Sequence, residues 1–188
     1  MTMSELAFIS IGSNIDPQEN LPRAISCLHE IGEVLCVSEV YQNPAYGATP
    51  QPDFLNAAAL VRTDLSPQEL HRRLRQIEAR LGRLRTEDRF APRTIDLDLS
   101  LYGEEIVVEE DIILPDPDLL ILPHVAIPIA ELDPEYLHPA RGEVLQEIAD
   151  RLRKGAHLTP RPDVREKIAA PYPASHGEQS PSPAASGT

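Results

Sequence analysis

Asp96 and Asp98 stand two residues apart in a run that alternates strictly from Thr94 to Leu101: T-I-D-L-D-L-S-L. The alternation predicts a strand with one apolar face, and it sends both carboxylates to the other face, about 7 Å apart along the chain. Two carboxylates so placed repel each other. One can be protonated, both can pair with arginines, or both can hold a divalent cation. The segment just before them carries Arg83, Arg85, Arg89 and Arg93. Mg2+ takes one or two protein carboxylates and fills its octahedron with water and phosphate oxygens. Guanidiniums give flat, two-pronged grips on phosphate. Side by side, these two charge types suit nucleoside triphosphate chemistry. The plainer alternative is a solvated strand face whose acids are salt-bridged to the neighbouring arginines. The chain has no GxxxxGK[ST] segment, which excludes a P-loop kinase.

The rest of the composition narrows the field. A chain of 188 residues suffices for one domain with a real core. Aromatic residues make up 4% and Trp is absent, so Leu, Ile, Val and Ala must build that core. A net charge of −13 argues against a broad grip on nucleic acid or on an anionic membrane. Eight of the 17 Lys and Arg nevertheless fall between Arg72 and Arg93. A local basic patch on an acidic body suits a small anionic ligand. Cys27 and Cys36 lack metal-motif spacing and read as small apolar residues. With neither a secretory pattern nor a long apolar run, the expectation is a soluble cytoplasmic protein.

The elements that must position these residues follow from pattern and punctuation. Leu6–Ile11 reads as a buried strand, with Gly12-Ser13-Asn14 turning the chain, either as a plain turn or as support for the site. A helix follows, with Asn20 as N-cap, Pro22 in the first turn and Gly32 as the stop. Residues 34–41 form a second strand and 54–62 a third, joined by a Pro-rich loop over 43–52. Ser66, Pro67 and Glu69 open a second helix with a capping box, lined by Leu70, Leu74, Ile77 and Leu81 and ended by Gly82. A basic loop then leads to the aspartate strand, whose Ile95, Leu97, Leu99 and Leu101 should face the helices. The order βαββαβ predicts an α+β, ferredoxin-like fold: an antiparallel sheet with helices on one face, extended by a C-terminal hairpin near 106–114 and by helical pieces over 129–132 and 143–153. The domain is expected to span 1–154. Residues 155–188 read as a Pro-, Ser- and Ala-rich tail, its last stretch of roughly 20 residues having almost nothing to bury.

On these motifs the chain resembles the 6-hydroxymethyl-7,8-dihydropterin pyrophosphokinase family. The resemblance spans about residues 6–140. It is carried by IGSN (11–14), QPDFLNAA (51–58), IEARLGR (77–83) with Arg85, and RFAPRTIDLDLSLYG (89–103). It implies that the pyrophosphoryl group of ATP passes to the hydroxymethyl oxygen of the pterin, leaving AMP. Two Mg2+ ions would sit on Asp96 and Asp98. Arg83 and Arg93 would neutralise charge developing on phosphate, Arg85 and Arg89 would lie in a loop closing over ATP, and Leu99 would help line the adenine pocket. On the pterin side, Asn56 would read the ring's edge and Phe54 would stack on its face. Backbone groups near Asn43 and Ala45 would complete the recognition, and His124 would stand near a second stacking position. The family pattern is departed from at Asp116, where a His is expected, at Leu122, where an Arg is expected, and at Thr86, where a basic residue is expected. The implied partners are small molecules, ATP and the pterin, with no nucleic acid, no membrane and no demand for more than a monomer. Two other readings stay open: a different metal-dependent nucleotidyl or phosphoryl transferase on the same scaffold, and a ligand-binding module without catalysis.

Overall fold

The computed structural model describes residues 4–45, 50–84, 88, 91–109 and 111–171. Its elements are β1 (Glu5–Ser13), α1 (Pro17–Leu28), β2 (Glu33–Val37), β3 (Tyr41–Asn43), β4 (Phe54–Thr63), α2 (Pro67–Arg80) and β5 (Asp96–Tyr102). A short hairpin follows, β6 (Val107–Val108) and β7 (Ile113–Leu114), then a 3-10 turn over Pro117–Leu120 and the helices α3 (Pro123–Leu132) and α4 (Leu145–Arg153). The described chain closes with β8 (Thr159–Pro160) and the single turn α5 (Pro162–Arg165). The main sheet runs β5-β1-β4, with β2 and β3 both paired to β4 and β8 paired to β3, and every pairing is antiparallel. The result is a mixed α and β fold on an antiparallel sheet. No helix among the described residues is long and apolar enough to cross a membrane.

One sheet face is apolar throughout. Ala7, Ile9 and Ile11 of β1, Leu55, Ala57, Ala59 and Val61 of β4, and Leu97 and Leu99 of β5 bury against Leu21, Ile25, Leu28, Leu70, Leu74 and Ile77 of α1 and α2. The helices are not confined to that face, as the sequence pattern suggested. α3 and α4 cover part of the other face, burying Phe8, Ala58, Leu60 and Leu101 against Val125, Ile129, Ile148 and Ala149. Leu101 therefore faces away from α1 and α2, contrary to strict alternation. The pairing of β5 with β1 slips between Phe8 and Ile9, so one extra residue of β5 reverses the side-chain order beyond Leu99.

Other boundaries also differ from expectation. The 34–41 strand is broken into β2 and β3, because Ser38 bonds Ala58 of β4 through both its backbone N–H (2.9 Å) and its side-chain oxygen (2.8 Å). α1 starts at Pro17 behind Asp16, which adopts a left-handed φ of 45°; Asn20 is inside the helix, its amide donating to the Ile15 carbonyl at 2.7 Å. Ser66 caps α2 as expected, accepting from Glu69 N–H at 3.3 Å, while the Glu69 carboxylate turns to Arg72 and Arg73. α3 begins at Pro123, earlier than its pattern suggested. The expected boundary after 154 cuts through packed structure. β8 joins the sheet, Val164 and Ile168 are buried in the helix-side core, and the buried Arg165 donates to the carbonyls of Val37, Ile168 and Ala170. The residues from 172 onward, on which the tail reading now falls, lie outside the described residues.

Gly32 is required by proximity, not by a helix stop. A Cβ there would stand 2.4 Å from the Arg62 carbonyl oxygen and 2.6 Å from a Val61 methyl. Both neighbours belong to the central strand β4 and cannot yield cheaply. Gly32→Ala should cost about 1–3 kcal/mol of stability, read as a shift of the urea unfolding midpoint without a change in slope. An unchanged midpoint would show that the β2–β4 contact is looser than drawn.

Candidate active site

The second sheet face is only half covered. Beyond the α3–α4 contact it presents Ser10 and Gly12 of β1, Phe54 and Asn56 of β4, Asn43 of β3, and Asp96 and Asp98 of β5. These line a cavity of about 470 Å³, walled on the far side by Asp116, Asp118, Ile121, Leu122, His124 and Val125 from the turn before α3 and its first residues. Register explains the gathering: Gly12 lies opposite Asn56 on one side and opposite Asp96 on the other. A Cβ at Gly12 would come within 3.0 Å of the Asn56 side-chain oxygen and 4.0 Å of the Asp96 Cβ. Glycine at this position keeps the floor between the amide and the carboxylate open.

Both aspartates meet guanidiniums. Arg83 and Arg93 each bond one carboxylate oxygen of Asp96, and Arg75 reaches Asp98 at 2.8 Å. β5 is the edge strand of the sheet, so Arg75 from α2 and Arg83 from the following turn can reach around it. Both are anchored by Glu78, 1% exposed, which accepts from each at 2.8 Å and from the Leu97 backbone N–H at 2.8 Å. Sequence reading singled out neither Glu78 nor Arg75. Their signal was helical spacing: they lie three apart on α2, with Glu78 interrupting a charged face at a buried position.

The field sets the two acids apart. Burial raises the Asp96 pKa, but Arg83 and Arg93 outweigh it and hold the carboxyl below the usual range. Burial and the Asp96 charge push Asp98 up to about 7, against the pull of Arg75. Burial, with the charges of Asp118 and Asp96, also lifts Asp116 to about 6. Asp116 caps the 3-10 turn, accepting from Asp118 N–H at 3.0 Å. Burial pushes the His124 imidazole below its ordinary value, toward the neutral form.

On the other side of the cavity, Asn56 donates to the Asn43 side-chain oxygen at 2.5 Å, and both amides are only 6% exposed. Phe54 carries the Arg93 guanidinium 5.7 Å above its ring centre. Gly12-Ser13-Asn14 proves to be the end of β1 and a junction. Ser13 donates to the Thr94 carbonyl at 2.6 Å, and Asn14 accepts from Arg93 N–H at 2.8 Å while donating to Gln51 at 2.9 Å and to the Pro52 carbonyl at 3.2 Å.

The cavity thus gathers Asp96, Asp98, Arg93, Asn43, Phe54, Asn56 and His124, with Arg83 bonded to Asp96 from behind. Leu99 is different: it is buried in the core facing α1 and α2, on the side of β5 away from the cavity, so its side chain cannot line a nucleotide pocket there. Ala45 is half-buried just past β3 and is not among the lining residues described. Arg85 and Arg89 lie outside the described residues. No cluster of three or more His, Cys, Asp or Glu fit to hold a metal occurs among the described residues. Two carboxylates facing an open cavity suit a hard cation that completes its shell with water and phosphate oxygens, and do not suit a caged structural metal.

Residues 8–134 match the family model described as 7,8-dihydro-6-hydroxymethylpterin-pyrophosphokinase. A 2-amino-4-hydroxy-6-hydroxymethyldihydropteridine pyrophosphokinase of Synechocystis is 36% identical over 149 residues, covering 78% of this chain and 75% of that protein. The Bacillus subtilis protein of the same name is 39% identical over 133 residues, covering 69% and 79%. Among solved structures, the wild-type Plasmodium falciparum HPPK-DHPS with pteroate superimposes with a TM-score of 0.65 at 10% identity, over 80% of this chain; that likeness concerns the fold alone. The chain spans less than half the length of that solved protein, 45%.

Removing the Glu78 carboxylate should leave Arg75 and Arg83 without their shared anchor and strand the Leu97 N–H. Glu78→Ala is expected to cost about 3–5 kcal/mol in urea unfolding. Glu78→Gln should recover part of it, since an amide oxygen can still accept from Leu97. An alanine variant within about 1 kcal/mol of the parent would refute the anchoring role.

Proposed function

The chain belongs to the 7,8-dihydro-6-hydroxymethylpterin-pyrophosphokinase family, and we propose that the half-covered sheet face is where it works. It is an ATP-dependent pyrophosphokinase of folate biosynthesis, passing pyrophosphate from ATP to 6-hydroxymethyl-7,8-dihydropterin and leaving AMP. The observation that carries the site assignment is the placement of Asp96, Asp98 and Arg93 on the same open floor as Phe54 and Asn56, with Arg83 bonded to Asp96 from behind.

In this reading Asp96 and Asp98 would hold two Mg2+ ions, which would supply charge neutralisation for the triphosphate and a lowered pKa for the pterin hydroxyl. Arg83 and Arg93 transfer their grip from Asp96 to phosphate oxygens and offset charge as it builds on the leaving AMP. Asn56, held by Asn43, presents a fixed amide to the donor and acceptor edge of the pterin. Phe54 supplies a flat apolar face and the neutral His124 imidazole an opposing one from α3. Backbone groups from Asn43 to Ala45 finish the pterin contacts, and Arg85 and Arg89 belong to the ATP side. Asp116 and Leu122 stand where the family pattern has a His and an Arg, so this wall contributes no cation to the nucleotide. The strand order β5-β1-β4-β2 with α1 and α2 on one face supports a ferredoxin-like core, onto which α3 and α4 are added. The reading includes a cytoplasmic monomer acting on small molecules, not on nucleic acid, in keeping with the net charge of −13.

AMP release from ATP and Mg2+, followed with and without 6-hydroxymethyl-7,8-dihydropterin, tests the reading directly. Release should require both pterin and metal. Asp96→Asn and Asp98→Asn should each lower kcat by roughly a thousandfold or more while leaving the melting temperature within a few degrees. A loss of less than about tenfold would remove the metal assignment. Asn56→Ala should raise KM for the pterin by roughly tenfold to a hundredfold. An unchanged KM there would move the pterin away from β4. Pterin-independent turnover with another acceptor would favour a different transferase on this scaffold.

A further inference from the structure

We propose that Arg75 is a positioning residue that reserves Asp98 for metal arriving together with nucleotide. The inference rests on the reading of Asp96 and Asp98 as metal ligands. Arg75 reaches over the edge strand from α2, one arm on Glu78 at 2.8 Å and the other on Asp98 at 2.8 Å, with Asp96 3.9 Å away. Among the described residues no other ion pair reaches Asp98. The guanidinium thus occupies one of the two Asp98 carboxylate oxygens, Oδ1.

Charge balance makes this occupancy consequential. Arg75, Arg83 and Arg93 face Glu78, Asp96 and Asp98 in one connected network, three positive groups against three negative ones when all are ionised. A cation entering alone must compete with Arg75 for Asp98 and adds positive charge to a neutral cluster. A triphosphate entering alone meets guanidiniums already engaged by carboxylates. Two dications and a triphosphate of about four negative charges arrive nearly neutral together. The displaced arm of Arg75 then has phosphate oxygens to turn to, while Glu78 keeps the other arm in place. Metal and nucleotide affinities are therefore coupled, and reciprocity requires each to strengthen the other. Arg75 supplies that coupling at Asp98, as Arg83 and Arg93 do at Asp96.

The test is Mn2+ binding to the full chain, with and without the α,β-methylene analogue of ATP, read in electron paramagnetic resonance as loss of the free-ion signal beyond that caused by the same analogue without protein. Wild type should bind Mn2+ weakly alone and strongly with the analogue. Arg75→Gln should bind Mn2+ alone roughly tenfold more tightly than wild type and gain less from the analogue. Arg75→Lys keeps the charge but has one ammonium for two partners, so it should fall between wild type and Arg75→Gln. Equal Mn2+ affinity of wild type and Arg75→Gln would overturn the proposal, and so would a lysine variant that behaves like the glutamine variant. If no protein takes up Mn2+ even with the analogue, the metal reading of Asp96 and Asp98 falls first and the proposal falls with it. Equal curves among proteins that do bind refute the Arg75 role alone.

Discussion

Glu78 is the constraint on which the site is built. A carboxylate this buried is tolerable only when it is fully paired, and here two guanidiniums and a backbone N–H share it. The N–H belongs to Leu97, the residue between the two site aspartates. One helical side chain thereby fixes the backbone of the edge strand and the arginines that flank its carboxylates. An edge strand has one side without a strand partner, and such strands are prone to slip or fray. β5 instead carries side-chain bonds along that free side. The positions of Asp96 and Asp98 thus depend on packing at α2 as well as on pairing within the sheet.

The open floor has a second origin, in the residues that follow one another along the second face. Toward Phe8, Ala58 and Leu60 the face is apolar and is sealed by α3 and α4, and a slip of β5 against β1 adds Leu101 to that half. Toward the other strand ends it is polar, with Asp96, Asp98, Asn56 and Asn43 lining the cavity. The turn before α3 overhangs this polar half and becomes its wall. β1 and β4 make this switch with alternation uninterrupted, Gly12 and Ser10 giving way to Phe8, and Asn56 to Ala58 and Leu60; in β5 the slip contributes by turning Leu101 onto the sealed half.

Much of this was legible in the sequence because it rests on local pattern. Asp96 and Asp98 announced a shared face by their spacing, and the gathering of Arg83 and Arg93 beside them follows from nearness along the chain. The α2 cap at Ser66 is likewise a local signal. What escaped depends on contacts distant in sequence. Leu99 and Leu101 cannot be assigned to opposite faces without knowing that β5 slips against β1. Glu78 looks like one more charge on a charged helix until β5 is brought beside it. The break at Ser38 depends on a bond to Ala58, twenty residues away. Residues 159–171 have the composition of a tail, yet Arg165 and Val164 bind them into the body through β2 and the core, a partnership no window of sequence contains.

Asn14 joins two parts of the cavity that otherwise belong to different loops. Its carbonyl oxygen takes the Arg93 N–H at the entry to β5, and its amide nitrogen holds Gln51 and Pro52 at the entry to β4. The group must donate on one side and accept on the other, so neither an acid nor an aliphatic residue can replace it without dropping one partner. The segment that carries Phe54 and Asn56 and the segment that carries Asp96 and Asp98 are therefore not independently exchangeable modules. A substitution that loosened residues 51–56 at this junction would also disturb the entry to β5, and a change at one end of the cavity is felt at the other.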